Sequence, residues 1–139
     1  MATREEKQAY IDEMAEKRGY VLDYHKVMTE YDFDVLQASN NLVSAAYLDQ
    51  RRLDRKTKEL LFIVSLTVMR ASKGHIQSHI RVALDLGLSE EEILEAIEIT
   101  LPEAGVVVFQ EGFEAWREVV GAEGIEPTVE AHGGGSGSR

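Results

Sequence analysis

Two histidines four residues apart are the first candidates for chemistry in this sequence. His75 and His79 share one face of a predicted helix, and Ser72 extends that line by one turn. Such a pair can bind a metal ion, or it can form a relay in which one imidazole takes a proton and the other orients it. The same spacing also fits one histidine at the edge of the core and one in solvent. A zinc site needs at least three protein ligands, and no HExxH motif is present.

Glu59 is the second candidate, because it stands immediately before the most apolar run of the chain, Leu60 to Met69. A carboxyl group against an apolar wall has a raised pKa and can serve as an acid or a base. If the helix of Glu59 packs against the helix of the histidines, the carboxylate can approach them. The alternative is a charged first turn shared with Lys56 and Lys58, where an acidic residue interacts favourably with the helix dipole.

Three basic residues bracket the histidines in the sequence: Arg70, Lys73 and Arg81. In a chain with a net charge of −10, basic groups beside a polar cluster could hold a carboxylate substrate. We therefore consider Arg70 and Arg81 as substrate-binding candidates. Ser72, on the same line as the two histidines, is a third candidate. The alternative is an ordinary solvated face.

The composition excludes several classes of function. With 25 acidic and 15 basic residues, the surface repels nucleic-acid backbones and anionic lipid, so we expect no nucleic-acid partner. The absence of cysteine removes disulfides, thiolate metal sites and thiol chemistry. The charged N-terminus lacks the apolar segment of a signal peptide, and the longest apolar run is too short to span a bilayer. We expect a cytoplasmic protein that does not enter the membrane.

Helical signals predict an all-α fold, a single-domain bundle of six or seven helices over residues 1–121. Residues that favour the start or the end of a helix lie between the apolar stripes, at Thr3, Gly19, Asp32 or Asp34, Asp54, Ser72, Gly87 and Ser89. Asn40-Asn41 is a weak point in the third helix. The sixth helix is predicted to bury residues as far as Leu101 and to kink or end at Pro102, and a last helix follows over Ala104 to Val120. Residues 122–139 are predicted to be a disordered tail, in which GGGSGS has the composition of an artificial linker.

The fourth helix is apolar nearly all round between Leu60 and Met69. A helix of that kind is buried on most sides, either within a core or between subunits. We expect it to form an antiparallel hairpin with the fifth helix, which carries the two histidines.

The segment from Arg55 to Val119 resembles the carboxymuconolactone decarboxylase family, which includes the alkyl hydroperoxidase D-like proteins. The matching text is RKTKELLFIVSLTVMRA, then HIQSHIRVALDLGLSEEEILEAIEITLPEAG, then FEAWREV. The resemblance implies an all-helical fold that assembles into homo-oligomers, commonly trimers or hexamers. In the peroxidase branch a CxxCxxxH motif reacts with peroxide, while a glutamate and a histidine relay protons. The corresponding positions here are Ser72, His75 and His79, and Glu59 lies near the position of the glutamate. Because both cysteines of the motif are missing, thiol peroxidase chemistry is excluded.

Three functions follow from this resemblance. The first is a cofactor-free lyase that decarboxylates a small carboxylated lactone or a related aromatic-degradation acid. In it His79 is the proton donor, Glu59 its orienting partner and His75 a second acid–base group. The second is a variant that binds a divalent transition metal through the same three residues. The third is a non-catalytic oligomer that binds a small ligand.

Overall fold

The computed structural model describes residues 1–122, and the predicted tail from residue 123 onward lies outside the described residues. Within residues 1–122 the chain forms eight α-helices and one π-helical turn, with no strand. The bounds are α1 Arg4–Arg18, α2 Asp23–Tyr31, α3 Phe33–Val43, the π turn Ser44–Leu48, α4 Arg55–Val68, α5 Lys73–Asp85, α6 Glu90–Glu98, α7 Thr100–Ala104 and α8 Val106–Val120. The all-α prediction is confirmed.

Most helix ends lie where local signals predict them. Thr3 and Ser89 each form a capping box with the glutamate three residues later. Asp32, Asp54 and Ser72 cap α3, α4 and α5 by accepting hydrogen bonds from backbone N–H groups of the first turn. These contacts satisfy N–H groups that have no acceptor within the helix.

The C-terminal half of the bundle holds the main core. Its buried apolar side chains come from α4, α5, α6 and α8 and from Leu88 just before α6. A smaller cluster of Ile11, Met14 and Leu36 joins α1 to α3. The site described below lies where elements from these two halves meet.

The predicted sixth helix is divided in the structure, which accounts for the eighth helix. It ends at Glu98, and α7 begins at Thr100 with Pro102 as its third residue. Proline is tolerated there because the first N–H groups of a helix have no intrahelical acceptor. The last helix begins at Val106 and not at Ala104, because Gly105 adopts φ 93° and interrupts the helical path.

The weak point predicted at Asn40-Asn41 does not end α3, which continues to Val43. Asn40 is held by two side chains of the N-terminal segment: Arg18 donates to its Oδ1, and its Nδ2 donates to the hydroxyl of Tyr10 at 2.8 Å. Tertiary contacts therefore override the low helix propensity of asparagine at this position.

Helix α4 buries only part of its apolar surface within one chain. Ile63 and Thr67 are completely buried, whereas Leu61 is 51% and Val68 45% exposed. Leu61 and Val68 are seven residues apart, so they lie on one outward stripe. Among the described helices, none is both long and apolar enough to cross a bilayer.

Candidate active site

A glutamate and a histidine form a completely buried pair between α4 and α5. The two helices are joined by only four residues, so Glu59 near the start of α4 reaches His79 at the middle of α5. Nδ1 of His79 hydrogen-bonds Oε1 of Glu59, and both side chains have an exposed fraction of 0%. A buried charge needs a partner of this kind, since desolvation of an isolated carboxylate costs several kcal/mol.

Tyr47 and Arg55 complete the surroundings of the carboxylate. The Tyr47 hydroxyl donates to Oε2 of Glu59, and it accepts from Nη2 of Arg55 at 2.9 Å. Arg55 Nε lies 3.6 Å from the same carboxylate oxygen, and the guanidinium lies 4.4 Å from the centre of the Tyr47 ring. Burial and the hydrogen bond to Glu59 raise the pKa of Tyr47 above its ordinary value, so the phenol stays protonated as a donor.

The hydrogen bond to Glu59 decides which nitrogen of His79 is available for chemistry. A carboxylate only accepts, so Nδ1 carries the proton that it donates. The other ring nitrogen, Nε2, is buried and has no hydrogen-bond partner among residues 1–122. A buried polar atom without a hydrogen-bond partner calls for an explanation. A role of His79 in proton transfer is one such explanation.

Aromatic rings hold the imidazole of His79 in place. Phe62 stacks on it with centroids 5.0 Å apart and planes inclined by 16°, and the Tyr20 ring lies 4.7 Å away. Burial raises the pKa of Tyr20, an effect that the nearby Arg18 partly offsets. The ring is therefore packed in a largely apolar cage that limits the access of water.

His75 connects this buried pair to a cleft. Its ring lies 5.4 Å from that of His79, and its side chain is only partly buried. A cleft of about 520 Å³ is lined by Val21, Leu22, Asp23, Tyr24, Ser72, Gly74 and His75. Burial lowers the pKa of His75, and the neighbouring His79 adds to the effect. His75 is thus neutral at pH 7 and touches both the cleft and His79.

A third histidine, His25 of α2, lies close to His75 and was not singled out from the sequence. Its Nδ1 accepts a hydrogen bond from the backbone N–H of Leu22 at 3.0 Å, which caps α2. Burial is the main reason that the pKa of His25 is lowered to about 4, and repulsion by Arg18 and by His75 in its protonated form adds to the effect. The sequence offered no clue to this role except the position of His25 three residues after the N-cap.

The predicted substrate-binding residues occupy different places. Ser72 caps α5, where its hydroxyl accepts from the backbone N–H of His75 at 3.3 Å, and it lines the cleft. Arg70 and Arg81 are exposed, and neither side chain has a hydrogen bond or ion pair within the described part of the chain. The arginine that reaches the buried pair is Arg55, whose i, i+4 spacing to Glu59 was the only signal in the sequence.

The proposed metal ligands do not form a three-ligand cluster. Among residues 1–122 no group of three or more histidines, aspartates and glutamates is arranged to hold a metal ion. Oε1 of Glu59 faces Nδ1 of His79, so the carboxylate orients this imidazole instead of ligating beside it.

A sequence profile of the carboxymuconolactone decarboxylase family matches residues 33–118, more than half of the chain. The chain belongs to the carboxymuconolactone decarboxylase family. The matched region runs from α3 into α8 and includes Tyr47, Arg55, Glu59, His75 and His79. Tyr20 and His25 lie before it. Neither the curated proteins nor the solved structures contain a match to this chain.

Proposed function

We propose that this protein is a cofactor-free decarboxylase that acts on a small carboxylated lactone or a related aromatic-degradation acid. Membership of the decarboxylase family supports the reaction class. The observation that carries the proposal is the buried hydrogen bond between Glu59 and His79, which leaves Nε2 of His79 without a partner. Histidine–carboxylate pairs with one free ring nitrogen are suited to proton transfer.

The chemistry requires one proton and no redox step. Breakage of the bond to the carboxylate carbon releases CO2 and leaves its electron pair on the substrate, where a conjugated carbonyl spreads it as an enolate. A proton then forms the new C–H bond, and solvent restores that proton to the protein. An apolar pocket favours the first step, because the localised charge of the substrate carboxylate is more costly to desolvate than the delocalised charge of the enolate.

Because His79 is buried, the two histidines have different roles in the proposed reaction. His79 is completely buried, so His75, which borders the cleft, is the group that can touch the substrate. A neutral imidazole accepts a proton at one nitrogen and releases one from the other. In this proposal His75 releases a proton from one ring nitrogen to the substrate as it takes a proton at the other from the imidazolium of His79. That imidazolium forms when solvent restores a proton to His79, and Glu59 stabilises it. Ser72, at the edge of the cleft, contacts the substrate.

The test is turnover of a carboxylated muconolactone, followed by CO2 release and by loss of ultraviolet absorbance. We expect wild-type protein to turn over. His75→Gln should lose roughly 10²-fold or more in kcat, the usual contribution of a general acid. Asp85→Asn is the matched control, because Asp85 is an exposed residue of the same helix that does not line the cleft. Absence of turnover by wild type, or full activity in His75→Gln, would contradict the proposal.

The second candidate is a non-catalytic ligand-binding protein. It is favoured by the lack of solvent access to the Glu59–His79 pair. Both oxygens of Glu59 are hydrogen-bonded, and His79 has no exposed surface, as in a structural buried pair. This alternative predicts that aromatic-degradation acids raise the melting temperature without being consumed. The same His75→Gln variant would then alter binding alone.

We also propose that the chain forms homo-oligomers, trimers or hexamers. Leu61 and Val68 of α4 are about half exposed, and Val106 and Val107 of α8 are 60% and 61% exposed. Leu61 and Val68 share one stripe of α4, and an exposed apolar stripe favours association. Light scattering should give a mass three or six times that of the chain, and Leu61→Asp with Val68→Asp should reduce it. A monomeric wild-type protein would contradict this proposal.

A further inference from the structure

A second cleft lies beside the buried pair and is lined by basic side chains. It has a volume of about 440 Å³ and is formed by the end of the π turn, the segment that joins it to α4, and the first turn of α4. Its charged lining residues are Arg51, Arg52, Arg55 and Lys58, with Asp49 and Asp54. A basic excess here stands out in a chain whose net charge is −10. None of its lining residues borders the His75 cleft.

Lys58 is the residue that points to a ligand. Its side chain is only 8% exposed, yet its Nζ has a single hydrogen bond, to the carbonyl oxygen of Asp49 at 2.9 Å. Among the described residues no carboxylate lies within ion-pair distance of that ammonium. Burial of an ammonium without a counter-charge is costly, and a bound anion would remove the cost.

The two acidic residues of the cleft do not supply that counter-charge. Asp54 is engaged as the N-cap of α4, where its Oδ1 accepts from the backbone N–H of Thr57 at 2.7 Å. Asp49 presents its backbone carbonyl to Lys58, while its side chain is exposed. By contrast, Arg51 and Arg52 are exposed and have no hydrogen bond or ion pair within residues 1–122, so their guanidinium groups are available to a ligand.

We propose that this cleft is a binding site for a small oxyanion ligand, a dicarboxylate or a phosphate, held by Arg51, Arg52 and Lys58. Guanidinium groups bind carboxylates and phosphates through paired hydrogen bonds, and the positive end of α4 adds to the attraction. The volume suits a ligand of a few carbon atoms. The site shares Tyr47 and Arg55 with the buried pair, so a bound anion would lie next to the groups that hold Glu59.

The experiment is calorimetric titration of the full chain with malonate, inorganic phosphate and chloride at constant ionic strength. We expect saturable binding of one malonate or one phosphate per chain and none of chloride. Saturation by malonate identifies the ligand as a carboxylate, and saturation by phosphate identifies it as a phosphate. The absence of saturable binding by both would overturn the proposal. The readout requires no turnover, so it stands apart from the decarboxylase test.

Matched variants locate the site. The double variant Arg51→Ala/Arg52→Ala should weaken binding roughly tenfold or more, the loss expected for charge-assisted hydrogen bonds. The control Arg70→Ala/Arg81→Ala removes the same charge from exposed arginines outside the cleft and should leave Kd unchanged. An equal loss in both double variants would show a general effect of net charge and would overturn the site.

Lys58→Met adds an independent check on the buried ammonium. It should abolish binding while raising the melting temperature of the ligand-free protein, because an unpaired buried charge is replaced by an apolar chain of similar length. Unchanged binding in Lys58→Met would overturn the role of this residue. If the arginine double variant changes the oligomeric state and wild type binds neither anion, the surface is a contact between copies of the chain.

Discussion

His79 donates a hydrogen bond through Nδ1 to the carboxylate of Glu59, and both side chains are completely buried. His25 has the opposite arrangement, since its Nδ1 accepts from the backbone N–H of Leu22. The two buried histidines therefore use the same ring nitrogen in opposite roles, and each role follows from the nature of the partner.

The first prediction concerns these tautomers. His79 should carry a proton on Nδ1, because the carboxylate can only accept, whereas neutral His25 should carry its proton on Nε2. Two-dimensional ¹H–¹⁵N spectra of the imidazole groups at pH 7 would distinguish the two forms. His25 is the internal control for His79. A neutral His79 protonated on Nε2 would show that the buried hydrogen bond is absent in solution.

The second prediction concerns acid stability. The pKa of His25 is lowered from 6.5 to about 4 in the folded protein, so the unfolded chain binds more protons between these values. The stability contributed by neutral His25 is thus present above pH 6.5 and is lost as pH falls towards 4. Between pH 7 and pH 5 the loss should be about 2 kcal/mol.

Urea unfolding of wild type and His25→Gln at both pH values measures this loss. The amide oxygen of glutamine can still accept from Leu22, while the titrating group is removed. The variant should show a shallower decline between pH 7 and pH 5. Parallel declines in the two proteins would assign the acid sensitivity to other groups.

The third prediction concerns the donor to Glu59. Tyr47→Phe removes the hydroxyl that donates to the buried carboxylate and accepts from Arg55. Because a buried carboxylate loses a partner, the free energy of unfolding should fall by about 1–3 kcal/mol. Tyr31→Phe is the control, since Tyr31 is 86% exposed and its variant should stay within about 0.5 kcal/mol of wild type. Equal stabilities of the two variants would contradict a supporting role for Tyr47.

The fourth prediction concerns the packing of α8 against α4 and α6. A Cβ atom at Gly112 would lie 2.7 Å from Thr67 Cγ2 and 2.9 Å from Ile97 Cγ2. Gly112→Ala should therefore destabilise the protein by about 1–3 kcal/mol, since overpacking outweighs the better helix propensity of alanine.

Gly74→Ala is the matched comparison for Gly112→Ala in thermal unfolding. Gly74 is also helical, but a Cβ there meets nothing within 4 Å. We expect this variant to be neutral or stabilised by up to about 1 kcal/mol. If Gly112→Ala were as stable as wild type, α4, α6 and α8 would be able to move apart at little cost in free energy.

Local signals predicted the elements of this fold well, and they left the approach of Glu59 to the histidines as one of two open alternatives. Thr3, Ser72 and Ser89 act on backbone groups within three residues of themselves, so their effect does not depend on the rest of the chain. The approach of Glu59 to His79 required only that α4 and α5 form a hairpin, which the short link between them favours. The start of the last helix was predicted at Ala104 and not at Val106, because a glycine inside an apolar run is compatible with either a helix or a break.

The remaining contacts of the site depend on segments far apart in the sequence. Tyr47 reaches Glu59 from a π turn, and Tyr20 reaches His79 from the link between α1 and α2. No spacing rule connects such positions, since the partner of a buried side chain is set by the element that packs opposite it.

The sequence by itself determined the helical class, the family and the absence of thiol chemistry, because composition, capping and motif spacing are local properties of the chain. Only the tertiary structure decided which groups are buried together. It showed Arg55 beside Glu59 while Arg70 and Arg81 stay in solvent, and it buried Lys58 without a carboxylate partner among the described residues. The physical reason is desolvation: whether a charge is costly or useful depends on which side chains and how much water surround it after the helices have packed.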